Sequence, residues 1–464
     1  MNTLDIIIYC QELTGDIFDM EFDPCDDENV WDLISSNKTT GLFQIGTDTY
    51  KKRMPRLAPK TISELAACLA LVRGPCISSG SDEVYMRIQE GIENVELIHP
   101  YYDDATKDTN GVMIFQEQLM NVCVNMGTSI ERGFQIMKFS SKKKFDKLKE
   151  AEEELRALTK DPMTEEQFKR VFTMIVDSGK YAFNSSHAVA YAMVGYTTAY
   201  YKCHYPKEFI ASTLSYIYIN GGDAKKRHDK LQEIFKDARR IGIKFLPPNI
   251  KKSSWKFTIE GDAIRIGLCA IASFSEAAYD EIIEKCMPFD DFIEPIEQIM
   301  DAVDKRKCGK RAMIPLILSG ALGDRCECYN TFCTIRKEEP QSELFIHNKL
   351  TIDLYADDME VEAALLEIPY TNYPANAFES IGIDDKEPYI DFTVQAYITR
   401  VKQHKTKTQE QMAFLTFDTG DGEIELIAFA NIYKQYKRFL KKNKIVNAVI
   451  RKTNKGIQLV SVEE

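Results

Sequence analysis

The sequence predicts a multidomain chain, mainly α, that ends in a C-terminal all-β barrel of the OB type. Three observations carry this. The 464 residues exceed one ordinary domain, which runs to roughly 100–200 residues. From about residue 61 to 241 the apolar residues recur at helical spacing, and from Tyr389 onward the period drops to two. At 44% hydrophobic and 28% charged, the chain has enough apolar surface for large cores, so wholesale disorder is excluded.

Taken in order, residues 1–45 read as helix, acidic loop and a turn into GLFQIGTDTY. TISELAACLALV (61–72) is an apolar helix ended by Arg73-Gly74-Pro75. GVMIFQEQLMNVCVNM (111–126) places Val112, Phe115, Leu119, Val122 and Met126 on one helical face. Further helices are expected over Glu165–Ser178 and Ala188–Tyr201, from Pro206 to about Ile217, and from the Asn220-Gly221-Gly222 loop to about Ile241. Extended pieces at Trp255–Ile259 and Ala263–Ile266 precede helices at Glu276–Lys285, Ile293–Val303 and Arg311–Leu318. Residues 324–350 read as a polar linker. After it, FTVQAYITRV, MAFLTFD, EIELIAF and IVNAVIR alternate as strands, with Thr419-Gly420-Asp421-Gly422 as a hairpin turn and a helix near Tyr433–Leu440.

No apolar run approaches the ~18 residues of a membrane span. Ten acidic residues precede the first basic one, Lys38, so no secretory signal is expected. Twelve cysteines without a paired framework suit reduced thiols in a cytoplasm, and no membrane partner is expected. The net charge of −12 is uneven. Residues 1–34 carry −10 and residues 352–391 carry −10. Between and after them, Arg132–Glu150 has seven cations against two acids, Lys305–Arg311 reads KRKCGKR, and Lys434–Lys455 has nine cations and no acid. Any one block is an ordinary solvated face; three together favour a polyanionic partner.

Candidate chemistry concentrates in YAFNSSHAVAY (181–191), where a turn opens a helix whose first N–H groups can meet phosphate. Ser185, Ser186 and His187 are adjacent, but a nucleophilic serine needs a base and an oxyanion hole that adjacency does not supply. On spacing alone, Asn184 and Ser186 are helix caps and His187 is a surface or core histidine. Upstream, Lys138 and Lys142–Lys144 form a cluster suited to a triphosphate or a DNA backbone. Cys308, Cys326, Cys328 and Cys333 lack zinc-site spacing and a nearby histidine. Gln341-Ser342-Glu343-Leu344-Phe345 is either a docking peptide or a tether packed on its own domain.

GLFQIGTDTY, LALVRGP, GVMIFQEQLM, SSKKK, YAFNSSHAVAYAMVGY, FLPPNI, IRIGLCAI, LILSGAL and MAFLTFDTGDGEIELIAF, in this order, resemble the C family of replicative DNA polymerases, the α subunit of bacterial DNA polymerase III. The resemblance runs from Thr3 to Gly323 and again from about Tyr389, at the distance of a divergent, plausibly phage-encoded relative. It implies an acidic, palm-adjacent segment (1–40), polymerase fingers (41–225), a tandem helix-hairpin-helix domain that grips duplex and the sliding clamp (226–335), a linker with a clamp-binding peptide (336–388) and an OB fold (389–464). Arg73, Lys138, Lys142, Lys143, Asn184 and His187 would bind nucleotide. Lys144, Lys310, Arg311, Ser319 and Gly320 would bind DNA, and Gln341, Leu344 and Phe345 the clamp.

In this family phosphoryl transfer uses two Mg²⁺ ions on three palm aspartates, which precede residues like Asn2–Ile7. Asp5 lies outside that motif. The expectation is therefore a split polymerase, inactive alone, whose palm and Mg²⁺ sit on a separate chain, with primer–template DNA, dNTP and a sliding clamp as further partners. The alternatives are a non-catalytic clamp- or polymerase-binding adaptor or decoy, and an excised piece of a longer protein. Departures from the family pattern at Met137, Ser141, Ser185 and Ser273-Phe274-Ser275 remove a cation or a glycine, the turn Arg73-Gly74-Pro75-Cys76 is shortened, and the implied phosphate contacts are weakened.

Overall fold

The computed structural model describes residues 3–19, 22–160, 163–179, 181–286, 295–347, 350–368, 370–371, 378, 382–383, 386–406, 409–419, 422–442, 444–454 and 456–463. The chain divides into two compact units, Met1–Phe209 and Ile210–Glu464.

The first unit is helical: α1 (Thr3–Thr14), α2 (Glu28–Ile34), α3 (Asp48–Lys51), α4 (Met54–Leu57), α5 (Ile62–Leu71), α6 (Gly74–Ser79), α7 (Ser81–Gln89), α8 (Pro100–Thr106), α9 (Gln116–Asn125), α10 (Ile130–Ser141), α11 (Phe145–Leu158), α12 (Glu165–Ser178) and α13 (Ser185–His204). Local signals set several starts. Thr61 caps α5 by accepting from Glu64 N, and Thr164 and Gln167 cap α12 reciprocally. Ile98, Leu119, Val122, Ile136, Leu155, Phe168 and Val171 form one buried cluster drawn from α8–α12 and the approach to them.

The helix expected from Gly111 instead begins at Gln116. Gln118 Oε1 accepts from both Ile114 N and Phe115 N at 2.9 Å, which closes the start of α9. Phe115 then bridges to Phe183 as a short parallel β contact. The stretch before the helix is thus held extended by a partner 68 residues away along the chain.

The acidic first segment is tied to α13. Tyr201 Oη accepts from Phe18 N at 3.1 Å, and Tyr196 Oη accepts from Asp27 N at 3.2 Å. Tyr200 Oη donates to Asp16 Oδ2, and His204 Nε2 lies 2.8 Å from Asp27 Oδ2. The buried Lys202 ammonium donates to the carbonyls of Lys38 (2.8 Å) and Thr40 (2.7 Å), pinning the loop that leads to GLFQIG.

α14 (Pro206–Asn220) crosses the division. The second unit continues with α15 (Ala224–Arg240), β1 (Lys244–Leu246), β2 (Thr258–Glu260), β3 (Ala263–Arg265), α16 (Glu276–Cys286), α17 (Pro295–Ala302), α18 (Lys310–Leu318) and α19 (Arg325–Arg336). Strands β1 and β2 flank β3 in a small sheet. Residues 324–350 are not a linker. Asp324 caps α19, whose Cys328, Tyr329, Phe332 and Cys333 are buried, and β4 (Glu343–His347) pairs antiparallel with β5 (Leu350–Asp353). The expectation failed because polar residues dominate α19 and its apolar face is only four residues wide. After β5 comes α20 (Asp358–Leu366).

β6 (Asp391–Lys405), β7 (Gln411–Thr419), β8 (Gly422–Ala428), β9 (Ile445–Thr453) and β10 (Gly456–Glu463) form a closed barrel in the order β10-β8-β7-β6-β9. Every neighbouring pair is antiparallel except β8 and β10, the strand arrangement of an OB fold. Thr419 faces Gly422 across the β7–β8 hairpin; Gly420 and Asp421 lie outside the described residues. Alternate residues Val394, Ala396 and Ile398, then Ala413, Leu415 and Phe417, fill the interior. α21 (Ala430–Tyr436) starts before the expected helix and buries Tyr433 in that core. Arg239 on α15 meets Asp418 on β7 at 2.8 Å, with side chains 10% and 2% exposed.

Candidate nucleotide and DNA interface

In the first unit, Arg73 directly precedes α6 and lays its guanidinium 4.2 Å over the Phe183 ring. Phe183 is held by the bridge to Phe115, with Phe183 N donating to Ile114 O at 2.8 Å and Gln116 N to Phe183 O at 2.9 Å. The His187 ring stands 5.4 Å from Phe183 and 4.0 Å from Tyr191, and Tyr191 is 5.1 Å from Phe43. The structure therefore joins Arg73 and His187 through an aromatic row along α13. Phe183, Tyr191 and Phe43 escaped the sequence reasoning, although 187 and 191 carry the four-residue spacing of one helix face.

Asn184 caps α13: its Oδ1 accepts from His187 N at 2.8 Å. Its Nδ2 donates to Glu117 Oε1 at 2.8 Å, and Ser185 N donates to Glu117 Oε2 at 3.0 Å. The Asn184 side chain is thus used inside the protein, and the Glu117 carboxylate occupies the helix start where a phosphate contact was expected. Nothing in the local sequence pairs position 117 with 184.

Lys138, Lys142, Lys143 and Lys144 are exposed at the end of α10. Lys138 Nζ lies 4.2 Å over Phe134, and Lys143 adopts φ +52° where the chain reverses into α11. Among the described residues no carboxylate pairs with these four, and no hydrogen bond joins them to Asn184 or His187. The link is structural: Ser140 Oγ donates to Val176 O at 2.5 Å, fixing the lysine loop to the end of α12, which leads into residues 181–187.

In the second unit the two hairpins differ. At the first, Ser273 adopts φ +62° and its hydroxyl is buried without a partner among the described residues. Phe274 is buried beside Trp255, and Ala272 N donates to Leu365 O at 2.9 Å. That backbone donor is committed to α20 rather than open to phosphate. Ser273→Gly relieves a left-handed conformation worth about 1–2 kcal/mol and removes an unsatisfied hydroxyl, against about 0.5–1 kcal/mol of added chain entropy. The expected result is a net gain of about 1 kcal/mol, seen as a Tm rise of roughly 2–4 °C; an unchanged or lower Tm would refute the strain argument.

At the second hairpin Gly320 (φ +74°) is exposed and Gly323 (φ +123°) completes the turn, while Ser319 Oγ donates to Leu316 O at 2.8 Å. Arg311 is exposed. Lys310 is already paired with Glu338 at 2.5 Å, so it is not the open cation the sequence suggested. Glu281 accepts from Asp304 N (3.1 Å) and Lys307 Nζ (2.7 Å), bracing the turn before α18. The Lys307 hydrogen bond, then that of Asp304 N, holds the Glu281 carboxyl below the usual range, and the same pair raises Lys307. The stabilisation from Glu281 is complete above the ordinary Glu value of about 4.3 and lost as pH falls through the depressed one. Glu281→Gln is therefore expected to flatten the acid limb of the stability–pH curve; an identical limb in the variant refutes this.

Gln341, Leu344 and Phe345 do not form a free peptide. Leu344 lies in β4 opposite Ile352 and is 3% exposed, whereas Phe345 is 65% exposed. Neighbours on a strand point to opposite faces, so Leu344 packs on its own domain and is not available to a partner's pocket in this conformation.

The chain thus carries a helical unit with a basic loop and an aromatic row, then helical hairpins, then a closed OB-type barrel. The family described as "Bacterial DNA polymerase III alpha subunit finger domain" matches residues 3–161, and "Helix-hairpin-helix motif" matches residues 242–327. The DNA polymerase III subunit alpha of Aquifex aeolicus is 29% identical over 91% of this chain and 37% of its own length. Those of Halalkalibacterium halodurans (28%, covering 91% and 39%) and Bacillus subtilis (27%, covering 90% and 40%) are similar. Over about nine tenths of its length the chain is similar to DNA polymerase III α subunits, and it spans about two fifths of the length of these relatives. No helix among the described residues is long and apolar enough to cross a membrane.

Proposed function

We propose that this chain is the finger, duplex-gripping and OB component of a split replicative DNA polymerase, working with palm aspartates on a separate chain. The observation that supports it best is the order of family regions over nine tenths of the chain, together with a finger unit whose four loop lysines have no carboxylate partner among the described residues. Arg73 and His187 would line the nucleotide through the aromatic row, Lys138, Lys142 and Lys143 would meet the triphosphate, and Lys144, Arg311, Ser319 and Gly320 the DNA backbone. Asn184 and Glu117 would set the position of His187 rather than touch nucleotide. Two Mg²⁺ ions would belong to the palm chain.

The palm chain needs a surface, and α1 offers one. Leu4 and Ile8, one turn apart, are 50% and 51% exposed, with Ile17 at 70% nearby in sequence. Leu4→Asp with Ile8→Asp is expected to weaken association with the palm chain at least about tenfold, as burying an unpaired carboxylate costs well over 1.4 kcal/mol, while Tm stays unchanged. Wild-type affinity in that variant would exclude α1 from the interface.

Primer extension with Mg²⁺ and dNTP, run with this chain alone and with a palm-bearing chain, tests the main reading. Extension only with both, lost when Lys138 and His187 become Ala, is the expected result; no extension with both sinks it. The second reading, a non-catalytic adaptor or decoy on the clamp or a host polymerase, is favoured by the internally satisfied Asn184, Ala272 and Lys310 groups. It predicts clamp or polymerase capture without extension. Clamp binding through Leu344 would require β4 to detach, so Phe345→Ala alone tests the surface as it stands.

A further inference from the structure

The groove beneath α21 belongs to no role assigned above. It has a volume of about 710 Å³, and Lys434, Lys437, Arg438, Lys441 and Lys442 line it. Its floor is the buried pair Tyr433 (1% exposed) and Leu440 (2%), both anchored in the barrel core, so the cations stand on a rigid base. Among the described residues, no carboxylate pairs with Lys434, Lys437, Lys441 or Lys442; Lys437 Nζ donates to Gln411 Oε1 at 3.3 Å and lies 5.9 Å from the centre of the Tyr433 ring. Close ammonium groups repel one another, and the repulsion is relieved by a counter-charge from outside the domain.

This groove is distinct from the barrel's open strand face. Arg400 and Lys402 on β6, with Phe414 on β7 (43% exposed), line another groove of about 460 Å³, and His404 stands 6.1 Å from the Phe414 ring. The intervening residues of β6, Val401 and Gln403, line the α21 groove instead. Successive residues of a strand point to opposite faces, so the β6–β7 ribbon separates a surface that bears the exposed Phe414 from one whose charged lining is cationic. Among the described residues that line the α21 groove the one ring, Tyr433, is buried, and lysines act on phosphate as point charges.

We propose that the α21 groove is a second nucleic-acid surface on the barrel, which takes the phosphate backbone of single-stranded DNA without reading its bases. The inference rests on the DNA-handling part of the proposed function. Its readout needs no nucleotidyl transfer, so the two can fail separately. The test is fluorescence anisotropy of the full 464-residue chain on a labelled oligothymidylate at salt from about 50 to 200 mM. Changing Lys434, Lys437, Lys441 and Lys442 to Gln is expected to reduce the slope of log affinity against log salt by about 0.7 per lost contact, up to about 3 in all. The same four positions changed to Arg should keep the wild-type slope. Phe414→Ala should lower affinity while leaving the slope unchanged, because stacking releases no counterions. An unchanged slope in the Gln variant, an equal loss in the Arg variant, or no measurable binding by the wild type overturns the proposal. So does a loss confined to anionic phosphatidylserine vesicles, which would make the groove a membrane surface.

Discussion

Arg239→Met is expected to destabilise the second unit by about 3–5 kcal/mol, because it leaves the Asp418 carboxylate in the barrel wall without its guanidinium. Asp418 is only 2% exposed, and Arg239 also donates to Thr419 O at 3.2 Å. The carboxylate is buried, so its desolvation is no longer offset by the guanidinium. The double change Arg239→Met with Asp418→Leu removes the charge as well and is expected to recover most of the loss. Urea unfolding followed by far-UV circular dichroism measures both. A single variant within about 1 kcal/mol of wild type would show that other donors satisfy Asp418 and that the pair does not tie α15 to the barrel.

The second large effect is kinetic. In palm-complemented extension, Lys138→Ala, Lys142→Ala and Lys143→Ala combined should raise the dNTP KM by about 10²-fold or more. Each charge-assisted hydrogen bond is worth about 1.5–3 kcal/mol, and every 1.4 kcal/mol is tenfold. The lysines are exposed and without carboxylate partners among the described residues, so the fold does not depend on their charge. Lys143→Gly provides a control: at φ +52° glycine keeps the turn and relaxes it while deleting the ammonium. A KM within about twofold of wild type in the triple variant, where even one lost contact predicts tenfold, would remove this loop from the nucleotide site.

Much of the architecture was legible because its signals are local. α5, α12 and α15 follow from apolar spacing between caps and breakers, and the barrel from a period of two. What failed was settled at a distance. The first residues of the 111–126 stretch have helical apolar spacing, yet the bridge between Phe115 and Phe183 keeps them extended. Residues 324–350 look polar, yet α19 needs only four buried side chains to pack.

The candidate site divides in the same way. The chain order, the lysine cluster and the helix opening at Asn184 are properties of the sequence itself, since cations and caps are defined within a few residues. Only tertiary structure decided that Glu117 sits on that helix start, that Glu338 neutralises Lys310, that Leu365 takes the Ala272 donor and that Leu344 is buried. Each of these depends on a group far along the chain. Residue type and spacing state what a side chain can do; the fold determines whether its charge or hydrogen bond is already used.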